Sequence, residues 1–264
     1  MIGVPPQPIF VGWGVIYSIE VTGACFYDNL IISLPAQPSR SMPYNLDRKV
    51  SFDKRSKLYP VRDMFTIPWL SNKTWDCPTH LDQGSEGACV GFAWAHELAA
   101  TPFRIKVDDS TARTIYYAAQ QWDEWSGTTY SGTSVLAGAK VVKSIGHMPE
   151  YRWAFGIDDV LSTLSHLGPI VLGIDWHNDM LHPDENGFIT PTGGIAGGHA
   201  ILACGIQVRK QYGFWWNNLP EPIIRLHNSW GTGFGKGGDC FITASNLEKL
   251  LQAQGEACVP LKRS

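Results

Sequence analysis

Between Leu81 and Pro102 the chain reads LDQGSEGACVGFAWAHELAATP. A glycine-bearing loop turns there into an alanine-rich apolar run, with one thiol, Cys89, at the junction. Pro102 closes the run, because a proline ring does not fit inside a helix. Val90, Phe92, Trp94, Ala95, Leu98 and Ala99 fall on more than one helical face. A helix apolar almost all round is a buried one, so the remaining chain must wrap this one. A thiol in the first turn meets free N–H groups and a partial positive charge, which favour thiolate over thiol. Gln83, six residues earlier, offers a neutral amide able to donate to an oxyanion. Glu86 works in the other direction, since a carboxylate near the sulfur raises the thiol pKa. His96, on the same run, reads as a structural histidine.

A thiol placed this way needs a base and a group that orients the base. The C-terminal half supplies both, as GGHAILACGI around His199 and RLHNSWGTGFGKGG around Asn228. The ordered set of Gln, Cys, His and Asn-Ser-Trp resembles the papain-like cysteine peptidases (the C1 family), for which Cys-His-Asn is the catalytic constellation. The chain is closer to bacterial and viral members that lack a long helical pro-region. The resemblance covers roughly Asp63 to Phe241 and implies an α+β fold of two lobes, one helical and one β-barrel-like, with the active site in the cleft between. Cys89 is then the nucleophile and His199 its acid–base partner, the two held as thiolate and imidazolium. Asn228 orients His199, and Trp230 covers the His–Asn bond and lines the substrate site. Gln83 and the Cys89 backbone N–H form the oxyanion hole. Gly132, ahead of the next helix, is the expected contact for the substrate backbone.

The departures concern specificity. Val90 stands after the nucleophile where the family usually has Trp. Cys89 and His199 are 110 residues apart, against a usual ~130–150. His199 and Asn228 are 29 apart, longer than in compact members, which fits an insertion at 209–222 around Trp215 and Trp216. Secreted relatives usually place a cystine partner three residues before the nucleophile, where this chain has Glu86.

Composition sets the remaining limits. With 44% apolar residues over 264 positions, the chain can bury one large core or two lobes. A net charge of −3 leaves no electrostatic footprint for nucleic acid. No apolar run of about 18 residues is free of Gly, Pro or charge, so no membrane span is expected. Residues 1–39 carry no Lys or Arg, so the basic start of a secretory signal is missing. These points lead to a cytoplasmic expectation, with association with a virus or particle left open. Six scattered cysteines fit free thiols in a reducing compartment. Cys77 and His80 have metal-like spacing, but two ligands make no site, and neither metal nor cofactor is expected. Oligomeric state is not readable, and the expected partner is a peptide or protein substrate.

Residues 1–65 form a proline-rich extension, read as a strap over the catalytic domain or a short inhibitory pro-segment, and residues 66–264 form the peptidase domain. After the Cys89 helix come a helix capped at Asp109-Ser110, one capped at Thr133 or Ser134 and ending at Gly146, and one from Ile157. A buried strand comes after Gly168-Pro169. Residues 177–198 read as loop, 201–208, 223–226 and the DCFI run as strands, and Ser245 as the cap of a last helix ending at Gly255. The leading reading is a thiol endopeptidase. An exopeptidase, amidase or acyl transferase would use the same triad, and a silent papain-like binding module is the reading from another class.

Overall fold

The computed structural model describes residues 44–64, 70–123, 131–208 and 221–261. Helix α1 (Cys89–Ala99) is buried at every position, as its all-round apolar sequence requires. It packs tightly because its neighbours approach at small residues. A side chain at Gly91 would strike the Ala112 carbonyl of α2 (Asp109–Gln120), and one at Gly138 would strike Trp94. Asp108, not Asp109-Ser110, caps α2, with Thr111 returning the bond in a capping box. Strand β3 (Thr133–Ser134) leads into α3 (Val135–Ser144), which Ser134 caps. Phe92, Trp94, Ile115 and Val142 sit in the core of this helical lobe.

The second lobe is an antiparallel sheet of β4 (Glu150–Trp153), β5 (Ile170–His177), β6 (Ile195–Gln207), β7 (Ile223–His227), β8 (Asp239–Thr243) and β9 (Glu256–Leu261), ordered β4-β9-β5-β6-β7-β8, with β2 (Lys73–Thr74) paired to β6. Helices α4 (Ile157–His166) and α5 (Ala244–Gln252) complete it. Its core holds Leu172, Ile174, Trp176, Ile201, Ile224 and Leu247, all fully buried. Each such side chain contributes roughly 1.5–3 kcal/mol on leaving water. The fold is therefore α+β, with a helical and a sheet lobe. The sheet corrects three expectations. Strand β6 begins at Ile195, inside the glycine-rich stretch read as loop, because those residues pair with Asp175–His177 of β5. Thr243, not Ser245, caps α5. Residues 256–261, for which the sequence predicts no element, form a fully buried strand between β4 and β5.

The described part of the extension does two different things. Residues 54–58 and 61–64 form 3-10 turns against the sheet lobe, with Val61 buried in its core and Pro60 bridged to Trp153. Upstream of them, β1 (Arg48–Lys49) pairs in parallel with β3, and Asp47 bridges Gly198 of β6. Residues 44–49 thus cross from the sheet lobe to the helical lobe. Of the expected 209–222 insertion, residues 209–220 lie outside the described residues, as does Cys25. Cys77, Cys89, Cys204 and Cys240 are buried free thiols. Among the described residues no helix is long and apolar enough to cross a membrane.

Candidate active site

Cys89 opens α1, and Ala88 before it provides no side-chain cap. His199 lies on β6, and the backbone of the next residue, Ala200, hydrogen-bonds to the Cys89 sulfur. The thiol and the strand that carries the imidazole therefore meet where α1 packs on β6. The His199 ring donates through Nε2 to Asn228 Oδ1 at 2.8 Å. That bond sets the tautomer and leaves Nδ1 as the ring's lone pair, which is buried and has no hydrogen-bond partner. Asn228 is itself fixed, its oxygen also accepting from the Ser229 N–H at 2.9 Å and its backbone N–H donating to Gly238 at 3.0 Å. Trp230 and Trp176 flank the His199 ring, with centroids 4.8 and 4.9 Å away. They keep water from the His–Asn bond, and low polarity strengthens it.

Gln83 is held from both ends. Its Oε1 accepts from Ser229 Oγ at 2.6 Å, which turns Nε2 toward the Glu86 carbonyl at 2.9 Å and the Asn45 carbonyl at 3.1 Å. Its donor thus already points at a carbonyl oxygen, supplied by the chain's own extension. Gly132 has φ +85, and a side chain there would lie 1.7 Å from the Asp47 carbonyl. Only glycine permits that approach.

The extension fills this site. Tyr44 stacks on Trp230 with centroids 4.1 Å apart, Asn45 meets Gln83, and Asp47 hydrogen-bonds through its backbone to Cys89. The Asp47 carboxylate accepts from Ser131 Oγ at 2.6 Å. Gly197 and Gly198 leave room for the Leu46 and Arg48 backbones. An open hollow of about 550 Å³, lined by residues including Arg62, Asp159 and Glu248, lies elsewhere on the sheet lobe.

Covering the pair changes its ionisation. Burial pushes the Cys89 thiol up to about 11, against those backbone hydrogen bonds. Burial also brings the His199 imidazole down to about 4, against the Asn228 bond, with the Arg48 charge lowering it further. Both shifts run against the expected thiolate–imidazolium pair, because desolvation of the two buried groups outweighs the helix terminus. Glu86 also departs from expectation. Its carboxylate binds Arg113 at 2.9 Å and Tyr117 at 2.5 Å, and the acid that acts on Cys89 is Asp47. His96 is buried against His227, consistent with a structural role. Among the described residues no three metal-ligating side chains gather, and Cys77 donates to the His96 carbonyl instead.

Sequence reasoning brought Gln83, Cys89, His199 and Asn228 together. It missed Ser229 as the clamp on Gln83 and Trp176 as the second wall of His199. Ser229 lies inside the Asn-Ser-Trp pattern, which was its available signal. Trp176 had none beyond being a large residue in a buried strand.

Known structures share this architecture. The crystal structure of xylellain, a cysteine protease from Xylella fastidiosa, superposes with a TM-score of 0.54 at 19% identity, over 83% of this chain and 94% of that one. Procathepsin B S9 from Trypanosoma congolense gives 0.54 at 16%, over 81% and 86%. A structure from work on the mite allergens Blo t 1 and Der p 1 gives 0.51 at 17%, over 74% and 72%. No protein-family model matches the sequence, and no curated protein does. The fold is that of the papain-like cysteine proteases.

Proposed function

We propose that the chain is a papain-like cysteine peptidase held latent by its residues 44–49. The observation that carries this is the buried His199 ring, fixed by Asn228 through Nε2 with its Nδ1 unpartnered, on the strand whose next residue, Ala200, hydrogen-bonds through its backbone to the thiol at the start of α1. With the segment displaced, water and substrate enter and the desolvation that keeps both groups neutral is relieved. His199 Nδ1 takes the thiol proton, and the sulfur attacks the peptide carbonyl. The oxyanion is met by Gln83 Nε2, in the place the Asn45 carbonyl now fills, and by the Cys89 N–H. His199 then passes its proton to the leaving amine, and later activates water against the thioester. Asn228, a neutral amide, orients the ring without cancelling its charge. The cytoplasmic reading and the affinity for bacterial and viral members remain part of this proposal.

Intact-mass labelling with an epoxide inhibitor of thiol peptidases, together with hydrolysis of a broad peptide library, tests it. The full chain should label slowly, and Tyr44→Ala/Arg48→Ala should label quickly and cleave peptides. Adding Cys89→Ala to that variant should abolish both signals. Adding His199→Ala should slow them by about 10²–10⁴-fold, as the loss of a positioned acid–base group does. A labelled thiol in the opened variant without peptide cleavage would favour a silent binding module or another acceptor.

A further inference from the structure

Just past the strap, the chain crosses a face whose charge differs from that of the whole. The full sequence carries −3, but residues 50–64, VSFDKRSKLYPVRDM, set four cations against two acids. Among the described residues ten large apolar side chains are exposed, and five of them, Val50, Phe52, Leu58, Tyr59 and Met64, fall in this stretch. Apolar side chains gathered in water this way mark a surface that a partner covers. Two adjoining hollows open there. One, of about 420 Å³, lies between the 54–58 turn, α3 and β4, and is lined by Tyr59, Leu136, Tyr151 and Trp153 together with Lys140 and Lys143. The other, of about 320 Å³, takes in Phe52, Lys54 and Trp122 and shares Asp53, Arg55, Leu136 and Lys140 with the first. Their acids are already engaged. Asp53 is held by Arg55 at 2.9 and 3.0 Å, Glu150 by Arg152 at 2.8 Å, and Asp123 by the Thr133 and Ser134 hydroxyls. Among the described residues Lys54, Lys140 and Lys143 form no ion pair; Lys140 acts on Asp53 through its charge alone, and Lys143 lies 5.8 Å over the Tyr151 ring. Strand β4 adds a backbone edge. It ends the sheet, paired on one side with β9, while on the other side the Trp153 N–H donates to the Tyr59 carbonyl at 3.1 Å. Alternate residues of a strand turn their N–H and C=O the same way, so those of Tyr151 face the same outer side.

We propose that this face docks an extended acidic peptide of a partner protein. The peptide lies along the outer edge of β4, with carboxylates against Lys54, Lys140 and Lys143 and an apolar side chain in the hollow beside Tyr59 and Leu136. The proposal goes beyond the peptidase reading and does not depend on it. A strand edge supplies main-chain hydrogen bonds to any extended chain. The lysines choose the sign of the partner's charge, because like charges brought together there are penalised. The hollow chooses an apolar side chain, which leaves water on entering it. An anionic lipid surface would meet the exposed Phe52 and Leu58 but would leave the two hollows and the Tyr151 backbone unfilled, so a peptide is the better occupant.

The test uses the full chain carrying Cys89→Ala, so that no probe is cut, and short fluorescein-labelled peptides that alternate Glu with Leu, Lys with Leu, or Glu with Ser. Binding is read by fluorescence anisotropy. The Glu/Leu peptide should bind at least about tenfold more tightly than either of the others, and more weakly as salt rises. Lys140→Glu/Lys143→Glu should weaken it by about fivefold or more with thermal unfolding unchanged. Should that variant unfold at lower temperature, Lys140→Gln/Lys143→Gln gives the same reading with a smaller loss. Amide hydrogen exchange at Tyr151 should slow when the Glu/Leu peptide is bound. Equal binding of the three peptides, or Glu/Leu binding that both lysine variants leave intact, overturns the proposal. Binding without protection at Tyr151 overturns it as well. Capture of the chain by phosphatidylserine vesicles, with no binding of any peptide, overturns it in favour of a lipid surface.

Discussion

A thiol near 11 and an imidazole near 4 are both neutral at every pH between those values. A raised thiol pKa confines thiolate to pH above it, and a lowered imidazole pKa confines imidazolium to pH below it. Iodoacetamide labelling of Cys89 in the full chain should therefore rise only through about pH 9–11, with no plateau near neutrality. In Tyr44→Ala/Arg48→Ala, water reaches both groups, and a plateau should appear near pH 7. Rapid neutral-pH labelling of the full chain would show that the segment does not govern the pair. Gln83, Cys89, His199 and Asn228 were legible because each carries its own flanking pattern in a fixed order. The burial of Arg48 and Glu256 was not, because Arg48 sits in an ordinary basic run and Glu256 comes after a helix end like any surface acid, and their burial follows only from the crossing of β1 onto β3 and the pairing of Glu256 with Gly173.

The element that positions the orienting amide is the β7–β8 pair. His227, just before Asn228, is the register partner of Asp239 and donates to it at 2.7 Å, while Asp239 also accepts from Arg225 at 2.6 and 3.0 Å. The other His227 ring nitrogen faces the Thr79 carbonyl at 2.9 Å, tying in the loop before α1. Burial alone would lower the His227 pKa, but hydrogen bonds, Asp239 foremost, carry it up to about 10. Asp239→Asn should cost about 3–5 kcal/mol in denaturant unfolding, because it leaves the buried imidazolium without its counter-charge. The stability that His227 gains from its raised pKa is complete below about pH 6.5 and is lost as pH rises through about 10. The gap between wild type and Asp239→Asn should narrow over that range. A gap independent of pH would mean that the pair is neutral. Legibility at this scale tracked periodicity. Helices α1 to α4 were readable from apolar spacing and caps. The first residues of β6 and the whole of β9 were not, because Gly-Gly-Ile-Ala-Gly-Gly carries turn chemistry and β9 holds Pro260. Tertiary pairing overrides both signals.

Taken as a whole, residues 44–49 bridge two lobes that already pack on each other through α1 and β6, and Gly132 is the position where that bridge is most sensitive. The Asp47 carbonyl approaches Gly132 so closely that even a methyl group would collide with it, and the positive φ adds strain for any other residue. Gly132→Ala should break the β1–β3 pairing from the helical side. Losing two or three hydrogen bonds of ordinary strength, about 1 kcal/mol each, raises the open population roughly 30–150-fold. Iodoacetamide labelling of Cys89 at neutral pH should rise by that factor. Peptide hydrolysis should not rise with it, because the proposed substrate backbone needs the same close approach that the methyl group blocks. Asp47→Ala gives the contrast: it removes the Ser131 bond from the segment and leaves Gly132 free, so labelling and hydrolysis should rise together. Parallel responses in the two variants would mean that Gly132 serves only the strap, and the substrate would then have to be held elsewhere in the cleft.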